Sequence, residues 1–242
     1  MKFFTDKTVK NDYLLIKIKD YLKMEDFSPW KEVFIDPGVY ELKKSDLYSW
    51  EGEINITDFL NSLPDNHYFS FDYPCDMNKQ YTNLFIEKSW HNAQLYHLFP
   101  QYIVTVQFAY NNYQSFVEWF DKYNNMDIKS GILAIGNVCR FNYLNEFVKH
   151  CLDYAFSRCK HNKMHIYGLS FRIIKYAYGL SKKYNIEFSI DNTKWTRAIN
   201  NKLRSKYKVA CTTSNRQEFF DEYLKTIKER GVILENTKFI KG

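Results

Sequence analysis

Short apolar runs alternate with longer amphipathic stretches along most of the chain. Residues 33–35, 68–71, 102–106, 131–135, 164–167 and 187–190 are short and rich in β-branched or aromatic side chains, which predicts strands. Helical periodicity fills the gaps, at 56–63, about 79–98, 113–123, 144–156 and 171–184. Beyond the last clear strand, helices are expected at about 193–205 and 217–230, with 209–211 a further short strand. Six strands alternating with helices predict a parallel sheet with crossover helices. The strands are apolar throughout rather than alternating, as befits a sheet buried on both faces.

The expected fold is therefore α/β, a compact (β/α)8 TIM-like barrel in which the two chain ends supply the missing strands. An open doubly wound sheet is the alternative. With no Gly-rich linker and no internal repeat, residues 1–242 are read as a single domain.

The residue that ends each apolar run sharpens this picture. The runs end in Asp36, Asp72 (with Asp76 close behind), Gln107, Gly136 followed by Asn137, Gly168 and Asp191. In a parallel barrel all of these lie on the C-terminal rim, where active sites of this architecture are built. Each also has a plainer reading. Asp191 is placed to cap a following helix, and Asp36 and Asp72 stand beside prolines as turn residues do. Their joint recurrence at strand ends favours chemistry.

Composition changes little. Hydrophobic residues make up 45% of the 242, which argues against extensive disorder. The 20 Tyr and 20 Phe, with abundant Lys, Asn and Ile, suggest an AT-rich coding sequence, so aromatic residues are not read as functional for their number alone. Thirty-four basic against 28 acidic residues give a net charge of +6, a weak pointer to a polyanion. Five cysteines without CxxC spacing read as reduced thiols. No signal-like or membrane-length apolar run occurs, so the expectation is a soluble cytoplasmic protein that meets no membrane. Size and composition suit a viral protein, for which the cytoplasm is the host's.

The strand-end segments, taken in order, resemble the guanine transglycosylase superfamily, particularly its DNA-modifying branch that installs 7-deazaguanine bases. Ile35-Asp36-Pro37-Gly38-Val39-Tyr40-Glu41-Leu42 is similar to the family's Asp-Ser-Gly-Gly-Phe/Tyr segment. Phe71-Asp72-Tyr73-Pro74 resembles its Asp-bearing base-recognition strand, and Thr105-Val106-Gln107 falls where a base-contacting Gln stands. Leu133-Ala134-Ile135-Gly136-Asn137-Val138-Cys139-Arg140 resembles its Leu-Ala-Val-Gly or Gly-Ile-Gly-Ser-Leu-Cys-Arg strand. His165-Ile166-Tyr167-Gly168-Leu169 and Ser189-Ile190-Asp191-Asn192-Thr193-Lys194-Trp195 resemble the His-x-Phe-Gly and Asp-Ser-Thr-x-Trp pair of the DNA branch.

The resemblance implies a base exchange in DNA with a free 7-deazaguanine base as co-substrate and no cofactor. Asp191 would be the nucleophile at C1′ and Asp36 the general acid/base. Asp72 and Gln107 would read the guanine edge, and Leu133, Ala134, Gly136 and Gly168 would close on the base. Tyr40, Tyr73 and Tyr167 stand near the rim and are either stacking or packing residues.

Two departures matter. Pro37 and Val39 replace a Ser and a Gly of the tRNA-enzyme motif, and the Cys-x-Cys-x-x-Cys plus His zinc site of those enzymes is missing. Cys151, Cys159, His161 and His165 lack usual ligand spacing, so no metal is expected. No tRNA-binding accessory domain fits the remaining length either, which again favours the DNA branch.

From Lys194 to Lys208 there are six basic residues and no acidic one. Lys194, Arg197, Lys202 and Arg204 are candidate phosphate contacts, as is Arg140; the plain reading is a solvated helix face. The competing functions are the same exchange on tRNA, a nucleoside-cleaving glycosidase with a smaller and less basic mouth, and a barrel that binds nucleic acid without chemistry. A helper protein that opens the duplex and a homodimer are both left open.

Overall fold

The computed structural model describes residues 1–37, 52, 54–73, 82–138, 145–191 and 215–235. Within them the elements follow as β1 (Lys2–Phe4), β2 (Tyr13–Lys17), α1 (Ile18–Tyr21), β3 (Glu32–Asp36), α2 (Ile56–Ser62), β4 (His67–Ser70), α3 (Thr82–Tyr96) and β5 (Tyr102–Val106). Then come α4 (Tyr113–Asn124), β6 (Ile132–Ile135), α5 (Asn145–Arg158), β7 (Lys163–Ile166), α6 (Ile174–Tyr184), β8 (Glu187–Asp191) and α7 (Arg216–Glu229).

The eight strands form one parallel sheet in the order β1-β8-β7-β6-β5-β4-β3-β2. A parallel bridge between Thr5 and Leu14 completes the ring. There the Thr5 amide donates to the Tyr13 carbonyl (3.3 Å) and the Leu15 amide to the Thr5 carbonyl (2.8 Å). This is a TIM-like barrel, and ring closure excludes the open sheet, whose outer strands would stay unpaired.

The two strands that the sequence pattern left unassigned both come from the N-terminus, not one from each end. No helix joins β1 to β2, and α1 is a single turn. This corner therefore departs from regular β/α alternation. The expected helix at 193–205 and strand at 209–211 lie outside the described residues.

Alternation along each strand divides its side chains into two sets. Val33, Ile35, Phe69, Val104, Val106, Leu133, Ile135, Met164, Ile166, Phe188 and Ile190 join the core shared with the helices. Phe4, Tyr13, Phe34, Ile103, Ile132 and Ala134, with Leu15, Tyr68 and Tyr167, form a separate cluster that fills the barrel. Both sets are apolar, which is why the strands read as continuous hydrophobic runs.

The ends of the barrel are polar. At the N-terminal end Lys2, only 13% exposed, holds Glu32 and Glu187 at 2.5 Å each. Burial works against the Lys2 charge, yet hydrogen bonds and attraction from the two glutamates outweigh it and raise its pKa above the ordinary lysine value. Replacing this lysine strands two like charges side by side. Lys2→Met is expected to lower stability by about 2 kcal/mol, between the values for buried and exposed pairs. Urea denaturation checks this, and adding Glu32→Gln and Glu187→Gln should recover most of the loss.

Candidate active site

The same alternation decides what reaches the other end. Counting by twos from the interior cluster, Phe34 leads to Asp36, Tyr68 and Ser70 to Asp72, and Ile103 and Thr105 to Gln107. Ala134 leads to Gly136, His165 to Tyr167, and Ser189 to Asp191. The polar strand-end residues thus fall on the barrel's inner face. Around the ring Asp72 on the β4 edge stands opposite Asp191 on β8, and Gln107 is one strand from Asp72.

Two clusters are built there. In the first, Asp72 accepts from the Ser70 hydroxyl at Oδ1 and from Gln107 Nε2 at Oδ2, both at 2.5 Å. The Ser70 hydroxyl also lies 2.8 Å from that of Thr105. Burial pushes the Asp72 carboxyl above its ordinary range, and the bonds from Ser70 and Gln107 pull the other way without cancelling it.

Gly136 sits against this cluster. A Cβ on it would come within 2.8 Å of Gln107 Cδ, so only glycine lets the carboxamide lie flat on the β6 edge.

In the second cluster Asp191, 8% exposed, accepts the Gly168 amide at Oδ1 (2.8 Å). Gly168 has φ +63°, a left-handed conformation that suits glycine and turns its N–H toward the next strand. His165 Nε2 lies 3.5 Å from the same Oδ1, while its Nδ1 is 2.9 Å from the Ser189 hydroxyl.

Tyr167 links the clusters. Burial lifts its phenol well above the ordinary tyrosine value, and the charges of Asp72, Asp36 and Asp191 add to this in that order. Ser70, its hydrogen-bonding partner, works the other way. Asp36, Asp72 and Asp191 all stand at the same end of parallel strands and, by alternation, on the inner face of the ring, so they face a common cup.

Not every expected site residue lines that cup. The Leu133 side chain belongs to the helix-facing core, and Ala134 lies buried in the barrel interior, two residues below Gly136. Tyr73 is core, packed against Phe71 and Phe85 rather than poised to stack. Arg140, Lys194, Arg197, Lys202, Arg204 and Tyr40 lie outside the described residues.

His165 figured in the sequence only as the first residue of a family-like segment and as a poor metal candidate, and its place beside Asp191 was not expected. Its signal was available: a histidine in the middle of an otherwise apolar strand, two residues before a tyrosine of the same face. Lys17, the register partner of Asp36 at the end of β2, was likewise missed because β2 was not assigned.

Among the described residues no group of three or more His, Cys, Asp or Glu side chains could hold a metal ion. Cys151 and Cys159 are free thiols; burial raises Cys151 to about 12 and raises Cys159 too, as for inert buried cysteines. A groove of 620 Å³ on the outside of α4, α5 and α6 is lined by Tyr113, His150, Asp153, Tyr154, Arg158 and Tyr184 among others. None of its lining residues comes from a strand end.

Two outcomes follow for the cup. Gly136→Ala is expected to cost about 1–3 kcal/mol by displacing Gln107. Combined with Gln107→Ala it should cost less than the sum of the single variants, a coupling readable from denaturation midpoints. Because the folded-state pKa of Asp72 is raised, its protonated form favours the fold. That contribution is complete below the ordinary carboxylate range and is lost as pH rises through the raised value. The stability of Asp72→Asn relative to the native protein should therefore increase with pH across that window, as measured by urea melts in a pH series.

No protein-family model, curated protein or solved structure matches this chain, so its function is argued from the barrel mouth itself.

Proposed function

We propose that this barrel is a guanine transglycosylase that replaces guanine in DNA with a free 7-deazaguanine base. What carries the reading is that Asp36, Asp72 and Asp191 share the inner face of the barrel at the C-terminal end of its strands. A base exchange needs three acidic tasks done around one sugar–base bond, and the cup offers three carboxylates in different surroundings.

Asp191 attacks C1′ of the target deoxyribose through a carboxylate oxygen as the bond from C1′ to guanine N9 breaks. The bonding pair leaves with the base, which takes a proton from Asp36. This leaves a sugar ester on Asp191. The incoming base gives its N9 proton to Asp36 and attacks C1′, and the ester bond breaks to return the carboxylate. Positive charge gathers on the sugar in both steps, where a cup of carboxylates stabilises it.

Asp72 and Gln107, already joined, offer a carboxyl and a carboxamide to the base edge: the first for the N1 and N2 donors of guanine, the second for its carbonyl. The glycine at 136 lets a flat ligand approach the backbone. A stacked base cannot reach this depth, so the target is extruded or single-stranded. The basic run from Lys194, with Arg140, supplies phosphate contacts.

Incubation with radiolabelled guanine, or a labelled deazaguanine precursor, and either DNA or tRNA tests this. Label should enter DNA and not tRNA. Entry into tRNA alone shows that the polymer is wrong, and entry into neither overturns the exchange. Asp191→Ala should fold normally yet form no covalent adduct with the polymer on denaturing gels; an adduct that persists assigns the nucleophile elsewhere.

A further inference from the structure

His165 is fully buried, at 0% exposure, inside the barrel. Aromatic rings enclose it: Phe4 edge-on at 5.6 Å, Phe34 at 4.9 Å and Tyr167 at 4.5 Å between ring centroids. An imidazole in such a place needs partners for both nitrogens. Nδ1 has one in the Ser189 hydroxyl, 2.9 Å away. Nε2 is buried without a hydrogen bond of good geometry, and the polar atom set against it is Asp191 Oδ1 at 3.5 Å.

The other side of Asp191 bears on this. Its Oδ1 takes the Gly168 amide and faces His165, whereas no described residue donates to its Oδ2. Among the described residues, one carboxylate oxygen is anchored and the other has no donor.

We infer that His165 is a positioning residue for Asp191: its Nε2–H is directed at Oδ1, its Nδ1 accepts from the Ser189 hydroxyl, and Oδ2 is thereby the oxygen that reacts. The inference rests on the proposed role of Asp191 as nucleophile.

Ser189 has one other task besides filling space, which is to fix the tautomer. By donating to Nδ1 it leaves the proton on Nε2, where the acid needs it. The groups facing the ring are then Asp191 and Ser189 from β8, Tyr167 from its own strand, and the apolar rings of Phe4 and Phe34 from β1 and β3. In the exchange, the anchored Oδ1 becomes the carbonyl oxygen of the sugar ester at Oδ2. When that ester breaks, the electron pair returns to the carboxylate, and a waiting N–H at Oδ1 stabilises it as a leaving group. The gap of 3.5 Å is long for a bond in the resting enzyme and has room to shorten as charge returns to Oδ1.

Two measurements decide this. The first needs no turnover: long-range 15N–1H correlation spectra of the imidazole report which nitrogen carries hydrogen. A proton on Nε2 in the native protein is expected, with Ser189→Ala redistributing it; an unprotonated Nε2 in the native protein overturns the inference.

The second is guanine exchange into DNA by His165→Phe, which suits the aromatic surroundings, and by His165→Gln, whose amide N–H reaches the place of Nε2. The Phe variant should lose about tenfold in kcat with KM for DNA unchanged, the scale of one hydrogen bond to a charged group. The Gln variant should recover most of it. Native turnover in the Phe variant, or equal impairment of both, overturns the role. If the native protein exchanges no label, the proposed function fails, and the pairing of His165 with Asp191 is still decided by the spectra.

Discussion

A side chain on the inner face of a closed parallel ring has no solvent to turn to except at the two ends. In this barrel the middle is filled by Phe4, Phe34, Ile103, Ile132 and Ala134. Polar groups survive inside only where they pair with one another. His165 does so with Ser189, and Ser70 with Thr105. Charge is driven to the rims, and both rims carry it. One rim sets a lysine between two glutamates; the other collects aspartates.

That difference separates structure from chemistry. At the N-terminal end a cation is supplied in place, between Glu32 and Glu187. At the C-terminal end the acids are met mostly by neutral donors: the Gly168 amide at Asp191, and the Ser70 hydroxyl and Gln107 carboxamide at Asp72. Neutral donors orient a carboxylate without cancelling its field. Burial and the three carboxylates act on the Tyr167 phenol in the same direction. A cup held in this condition favours whatever positive charge enters it, which is what a sugar losing its base develops.

The fold was legible where strands were long enough to show a pattern. β3 to β8 declared themselves as apolar runs closed by a polar residue, and the rim residues came with them. β1 and β2 did not. Lys2–Phe4 is three residues long, and β2 passes into α1 without a turn residue, so neither makes a periodic signal. The cost was Lys17, which entered the site's neighbourhood only with the register of β2 on β3. Burial by alternation was also harder to see than position. In a strand apolar on both faces, the sequence does not distinguish Leu133, which faces helices, from Ala134, which faces the barrel. The role of His165 was hidden for a related reason: its partner Ser189 sits on another strand, and the pairing exists only once β7 and β8 are in register.

Register also gives two of the acids different surroundings. Asp72 sits two residues beyond Ser70 on the same face and one strand from Gln107, so both of its oxygens are occupied by donors and its reactivity is spent on geometry. Asp191 stands on the opposite wall beside a glycine turn that can offer only one amide, and that amide reaches only one oxygen. A carboxylate bonded at both oxygens is suited to reading a ligand's hydrogen atoms, because its directions are fixed. One bonded at a single oxygen keeps a lone pair free to form a bond with carbon. The proposed division, recognition for Asp72 and attack for Asp191, rests on what each neighbouring strand brings to its end, and exchanging the two roles would require exchanging the walls.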